Sequence, residues 1–118
     1  MTLITKSQLD RLLKNGRAQR LAIDNAMPAI DFKPVVKLFT PDGAATWLLT
    51  ELDPNGDLAF GLCDLGLGCP ELGYVSLNEL RAVRGKLGLP IERDAHFTAD
   101  CTISDYADDA RRHGHIVT

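Results

Sequence analysis

Between Pro34 and Ser76 the chain reads PVVKLFTP, DG, AATWLLTELDP, NG and DLAFGLCDLGLGCPELGYVS. Apolar segments of strand length alternate with turn dipeptides, and no other feature constrains the fold as much. Asp-Gly and Asn-Gly favour the backbone angles that tight hairpins need. The second strand is rich in β-branched and aromatic types, which suit a pleated surface. The sequence predicts strands over residues 35–39, 46–52, 58–63 and 72–75, with a Gly-rich loop over 66–70. Turns rather than crossover helices join them, which argues against a βαβ nucleotide-binding arrangement.

Helices are predicted on both sides of this meander. Thr5-Lys6-Ser7-Gln8 has the form of a capping box, and Leu9, Leu12 and Leu13 follow at helical spacing. Asn15-Gly16 reads as a stop, so a second helix is expected over residues 17–26, ended by Met27-Pro28. Ser76-Leu77-Asn78-Glu79 is a second capping box and opens a helix over 77–84. Residues 91–97 read as a fifth strand. A final helix runs from near Ser104 to Gly114. Its acids, Asp105, Asp108 and Asp109, lie toward the start, and Arg111, Arg112 and His113 toward the end, as the helix dipole prefers. The expected fold is α+β. It has an antiparallel meander of four to five strands packed with N-terminal, middle and C-terminal helices, in one globular domain over residues 1–118. A length of 118 residues with 45% apolar composition suits one domain with a core that needs no staples.

The formal charge of −3 argues against a dedicated nucleic-acid binder and is too mild for a mimic of DNA charge. No stretch approaches the roughly 18 apolar residues of a membrane span. Lys6 and Asp10 break any apolar run near the start, so the N-terminus does not read as a signal peptide. Three cysteines, an odd number, argue against a closed disulfide framework. Together these point to the cytoplasm.

Paired carboxylates are the first chemistry to weigh. A two-residue turn at Asn55-Gly56 sets Leu49 opposite Leu62 and Glu51 opposite Phe60. Trp47, Leu49, Glu51, Phe60, Leu62 and Asp64 then share one face, and Leu48, Thr50, Leu52, Ala59, Gly61 and Cys63 the other. A five-residue loop would instead put Glu51 beside Ala59; the two-residue turn is preferred. It separates Glu51 from Asp64 by about 13 Å along the sheet. Glycosidase carboxylates sit about 5–10 Å apart, so the two do not form a dyad. Each acid is expected near a strand end, reaching water or a base such as Lys37, with a single buried carboxylate as the functional alternative.

The remaining motifs carry less. Residues 65–71, LGLGCPE, lack the Lys-Ser/Thr and the following helix of a phosphate loop. They read as a wide connection with positive φ angles. Cys63, Cys69 and Cys101 lack zinc-site spacing, and no metal or cofactor is expected. The densest polar cluster, Glu92-Arg93-Asp94-Ala95-His96, offers a base, an anion-binding Arg and an imidazole; the structural alternative is an edge strand protected by charge. Lys14, Arg17, Arg20, Lys33 and Lys37 make the N-terminal third basic. This reads as a solvated helix face, with nucleic acid as a weaker alternative partner.

PVVKLFTP, TWLLTELDP, LAFGLCDLG, PELGYVSLNEL and LPIERDAHF, in this order and with short gaps, resemble a bacterial family of small domains of unknown function. That family is found largely on plasmids, integrative elements and phages. The resemblance runs from Lys6 to Tyr106. Its matching positions are Lys37, Phe39, Trp47, Glu51, Gly61, Glu71, Gly73, Glu79, Arg93, Asp94 and Phe97. It implies an accessory role in mobile-element biology, with counter-defence suggested by fusions to proteins thought to protect incoming DNA. The expected function is a non-catalytic module that binds a host or element-encoded protein. The alternatives are a small hydrolase or nuclease-like enzyme using acids and His96, and a nucleic-acid accessory. Candidate binding residues are Glu51, Glu71, Arg93, Asp94 and His96.

Overall fold

The computed structural model describes residues 2–118. The elements are α1 (Lys6–Asp24), β1 (Val36–Phe39), β2 (Thr46–Leu52), β3 (Leu58–Asp64), β4 (Glu71–Ser76), α2 (Leu77–Ala82), β5 (Glu92–Arg93) and α3 (Ile103–His113). The strands form one antiparallel sheet in the order β4-β3-β2-β1-β5, the expected α+β arrangement. One face carries the larger core, in which Leu12 of α1 and Leu77 and Leu80 of α2 pack on Val36, Leu38, Trp47, Leu49, Leu52 and Ala59. The other face is covered by α3, whose Ile103, Tyr106, Ala107 and Ala110 pack on Leu48 and Leu62. The segment from β4 through α2 to β5 carries the chain from one edge of the sheet to the other.

The capping box at the start of α1 forms as its residues predict. Thr5 and Gln8 exchange side-chain and backbone bonds at 3.0 and 3.1 Å. The expected break at Asn15-Gly16 does not occur, and one 19-residue helix replaces the two short ones. Tertiary contact explains this. A Cβ on Gly16 would lie 2.0 Å from the Leu52 carbonyl oxygen, so the glycine lets the helix backbone rest against the end of β2. Asn15 donates from Nδ2 to the Thr50 carbonyl at 2.9 Å. The dipeptide that reads as a stop is the seat of the helix on the sheet.

The hairpin register departs from the expected one at a single bulge. Glu51 opposes Phe60 and Leu52 opposes Ala59, as the short turn requires, but beyond Thr50 the pairing shifts to Leu49 with Gly61 and Leu48 with Leu62. Thr50 is the extra residue. It is 1% exposed, and its hydroxyl donates to the Phe60 carbonyl at 3.2 Å. Two corrections follow. Trp47 and Leu49 share their face with Leu52 and Ala59 rather than with Leu62, and Leu48 joins Leu62 under α3. Gly61 makes the close pairing possible, since a Cβ there would sit 1.9 Å from the Leu48 carbonyl oxygen.

The fifth strand is also shorter than residues 91–97. Only Glu92 and Arg93 pair with β1. Asp94 then turns the chain by accepting the His96 N–H on Oδ1 at 2.9 Å, and the Phe97 N–H bonds the Asp94 carbonyl. The N-terminus of α3 is secured from far away in sequence. Asp31 accepts from the Ser104 N–H at 3.1 Å and from the Ser104 hydroxyl, and Ile103 N–H donates to the Phe32 carbonyl.

Candidate functional site

Because α1 is continuous, its second half runs past the end of β2 and builds one wall of a groove. The groove has a volume of about 160 Å³, and Gln19, Arg20, Ile23, Glu51, Phe60 and Tyr74 contribute to it. Gln19 is its organiser. Its amide nitrogen donates to Glu51 Oε2 at 3.2 Å and to the Ile30 carbonyl at 2.9 Å, while its oxygen accepts the Ile30 N–H at 2.8 Å. Burial raises the Glu51 carboxyl above its ordinary range, and the Gln19 bond works against that rise.

Beside Glu51 the face is apolar and largely uncovered. The Phe60 and Tyr74 rings meet edge-to-face with centroids 5.2 Å apart. The register of β3 with β4 brings Leu58, Phe60, Leu72 and Tyr74 onto this face. Exposure of Leu58, Leu72 and Tyr74 is 46%, 38% and 71%. The helix α3 stops short of them, packing instead on Leu48 and Leu62. Strand β4 is also the outer strand, so alternate backbone groups along it face away from the sheet. The other edge, β5, is two residues long and rich in charge, a form that resists further pairing.

The other candidate residues occupy separate places. Glu71 opens β4 at the edge opposite β5, four strand spacings or roughly 19 Å from the Glu92–His96 segment. Asp94 forms a half-buried ion pair with Lys37 at 3.6 Å and holds the His96 backbone. His96 itself is exposed. Arg93 lines a second groove on the other face, with a volume of about 590 Å³. Glu51, Arg93 and Asp94 therefore border three different concavities.

Asp64 corrects the expectation of an acid reaching water or Lys37. It is 2% exposed and ties down two chain segments, accepting the Gly66 N–H at 2.8 Å and the Ile116 N–H at 3.0 Å. The loop that follows contains Gly66 and Gly68 at positive φ, as its composition suggests. Sequence reasoning missed Asp57. Its carboxylate accepts from Ser76 Oγ at 2.8 Å and from the Asn78 N–H at 2.9 Å, so the Asn55-Gly56 turn is bonded to the start of α2. These bonds, led by that from the Asn78 backbone, hold the Asp57 carboxyl below its usual range. Arg81 and Arg84 in the second groove were also missed. Their i,i+3 spacing at the end of the predicted 77–84 helix was the available signal.

Burial pushes the Cys63 thiol up, and burial followed by the charge of Asp105 does the same at Cys101, opposite to the shift of an activated thiolate. Among the described residues, no three His, Cys, Asp or Glu side chains are grouped to hold a metal ion. No helix among them is long and apolar enough to cross a membrane. No curated protein and no solved structure matches the chain. A family model does match, over residues 3–117, and the chain belongs to that family, the proteins of unknown function DUF2958.

Proposed function

We propose that the protein is a non-catalytic binding module that takes an extended segment of a partner protein along β4. The observation that carries this reading is the open β4 edge beside an uncovered apolar face formed by Leu58, Phe60, Leu72 and Tyr74. A strand added at such an edge completes the outward backbone groups, and its alternate side chains meet Leu72 and Tyr74. The dispersal of the candidate acids supports the same reading. A hydrolase needs its acid and base on one concave site, whereas Glu51 lies in its groove and Asp94 beside His96 is engaged by Lys37. The likeness to domains of plasmids, integrative elements and phages suggests an accessory protein in the cytoplasm. Its partner would be a host or element-encoded protein, and its role counter-defence.

The test is capture of partners from the host with the wild-type chain and with Tyr74→Asp. Circular dichroism confirms that the variant folds, since Tyr74 is exposed. Loss of a central aromatic contact costs about 2 kcal/mol, roughly 30-fold in affinity. Hydrogen exchange on the purified complex should show new protection of the β4 amides. Undiminished affinity in Tyr74→Asp, or protection confined to other elements, would remove β4 as the docking edge.

A further inference from the structure

We infer that the groove between the N-terminal segment, α2 and β5 binds a small phosphate-bearing ligand with an apolar body, of the mononucleotide type. Three arginines are among its lining residues, Arg81, Arg84 and Arg93. Among the described residues, none of the three lies within 4.0 Å of a carboxylate. Each is held instead by neutral oxygens. Arg93 Nη1 donates to the Thr2 carbonyl at 2.8 Å, Arg84 Nη1 to the Arg81 and Val83 carbonyls at 2.9 and 2.7 Å, and Arg81 Nη1 to Asn78 Oδ1 at 2.9 Å.

A guanidinium offers five N–H donors in a fixed fork. In each arginine these bonds use Nη1, and among the described residues no acceptor bonds Nε or Nη2. The charges are thus positioned but not neutralised, the condition that favours bidentate capture of a phosphate. Glu92 also borders the groove. Arg93 pairs with Leu38, which belongs to the α1-side core, so strand alternation sends the neighbouring Glu92 side chain to the opposite face. Asp57, whose charge Arg81 feels, is already engaged by Ser76 and the Asn78 N–H.

The floor of the groove is apolar. Ile4, Leu80 and Ile91 are 9%, 4% and 6% exposed and belong to the main core while also lining this space. A volume of about 590 Å³ falls in the range of small-molecule sites, about 300–1,000 Å³. Phosphate on the arginines and a base on this floor use both halves of the site. The groove does not include β4, so it can be filled whether or not a partner strand is bound there.

Isothermal titration with AMP, ATP, adenosine and inorganic phosphate tests this on the full chain. AMP or ATP should bind at least tenfold more tightly than either adenosine or phosphate alone. Arg84→Gln and Arg93→Gln should each weaken that binding at least tenfold. Arg93 also holds Thr2, so circular dichroism accompanies both variants, and Arg84→Gln alone decides the matter if Arg93→Gln unfolds. Three results would overturn the inference. They are no nucleotide binding at millimolar concentration, affinity unchanged in Arg84→Gln, and phosphate binding as tightly as the nucleotides.

Discussion

Replacing Gly16 with alanine sets two physical arguments in direct opposition. In an ordinary exposed helix interior, Gly→Ala is stabilising by roughly 0.5–1 kcal/mol, because glycine loses more backbone freedom on folding. At Gly16 the new Cβ would stand 2.0 Å from the Leu52 carbonyl oxygen, where ordinary contact begins at 3.4 Å. Helix and strand must separate by the missing 1.4 Å, and both clashing groups are backbone or fixed to it. Separation loosens Leu12, 0% exposed, from Leu52, 2% exposed. It also stretches the neighbouring bond from Asn15 to the Thr50 carbonyl, now 2.9 Å. Overpacking of this kind costs about 1–3 kcal/mol, and a lost hydrogen bond adds about 1 kcal/mol. After the helix-propensity gain is set against these, Gly16→Ala should be destabilised by about 2 kcal/mol. For a chain of this size that is a fall of roughly 8 °C in Tm. Urea unfolding followed by circular dichroism measures it. A variant as stable as wild type, or more stable, would show that α1 is not seated on β2 through Gly16, and the continuous helix would lose its explanation.

Glu51 and Asp64 extend the same reasoning to charge. The folded-state pKa of Glu51 is raised, so between its unfolded and folded values the folded chain holds more protons and stability falls as pH rises. Glu51→Gln removes this charge cost while keeping an oxygen for Gln19, so it should be more stable than wild type at pH 7. The advantage should vanish below about pH 4.3, the ordinary pKa of a glutamate, in parallel urea titrations. An advantage that persists at pH 3 would point to another cause. Asp64→Ala strands the buried Ile116 N–H and the Gly66 N–H. The expected loss is about 2–4 kcal/mol, with faster hydrogen exchange at Ile116; unchanged exchange there would contradict the role given to Asp64 in holding the C-terminal segment.

Much of the secondary structure is legible because its signals are short-range. The meander was readable from Asn55-Gly56 and the alternating apolar runs, and β2 spans the residues those runs suggest. The capping box at Thr5 and the charge order of α3 act within a single turn of helix, so sequence neighbours suffice to predict them. Glu51 was recognisable as an acid within an apolar strand, and it is the half-buried carboxyl of the groove. Its partner Gln19 was not recognisable, since 32 residues separate them.

The α+β class and the strand succession follow from local preferences for turns, caps and pleated segments. The path of the chain across the sheet does not. Asn15-Gly16 has the chemistry of a helix stop, and only the Leu52 and Thr50 carbonyls resting against it make it a point of attachment. The bulge at Thr50 depends on how closely Gly61 admits its neighbour, and that single extra residue reassigns Leu48 to the opposite core. The crossover through α2 sends Glu71 and Arg93 to opposite edges, although they lie only 22 positions apart in the chain. Contacts between segments that are strangers in sequence decide where each functional group stands, because their energies exist only once the sheet has been assembled.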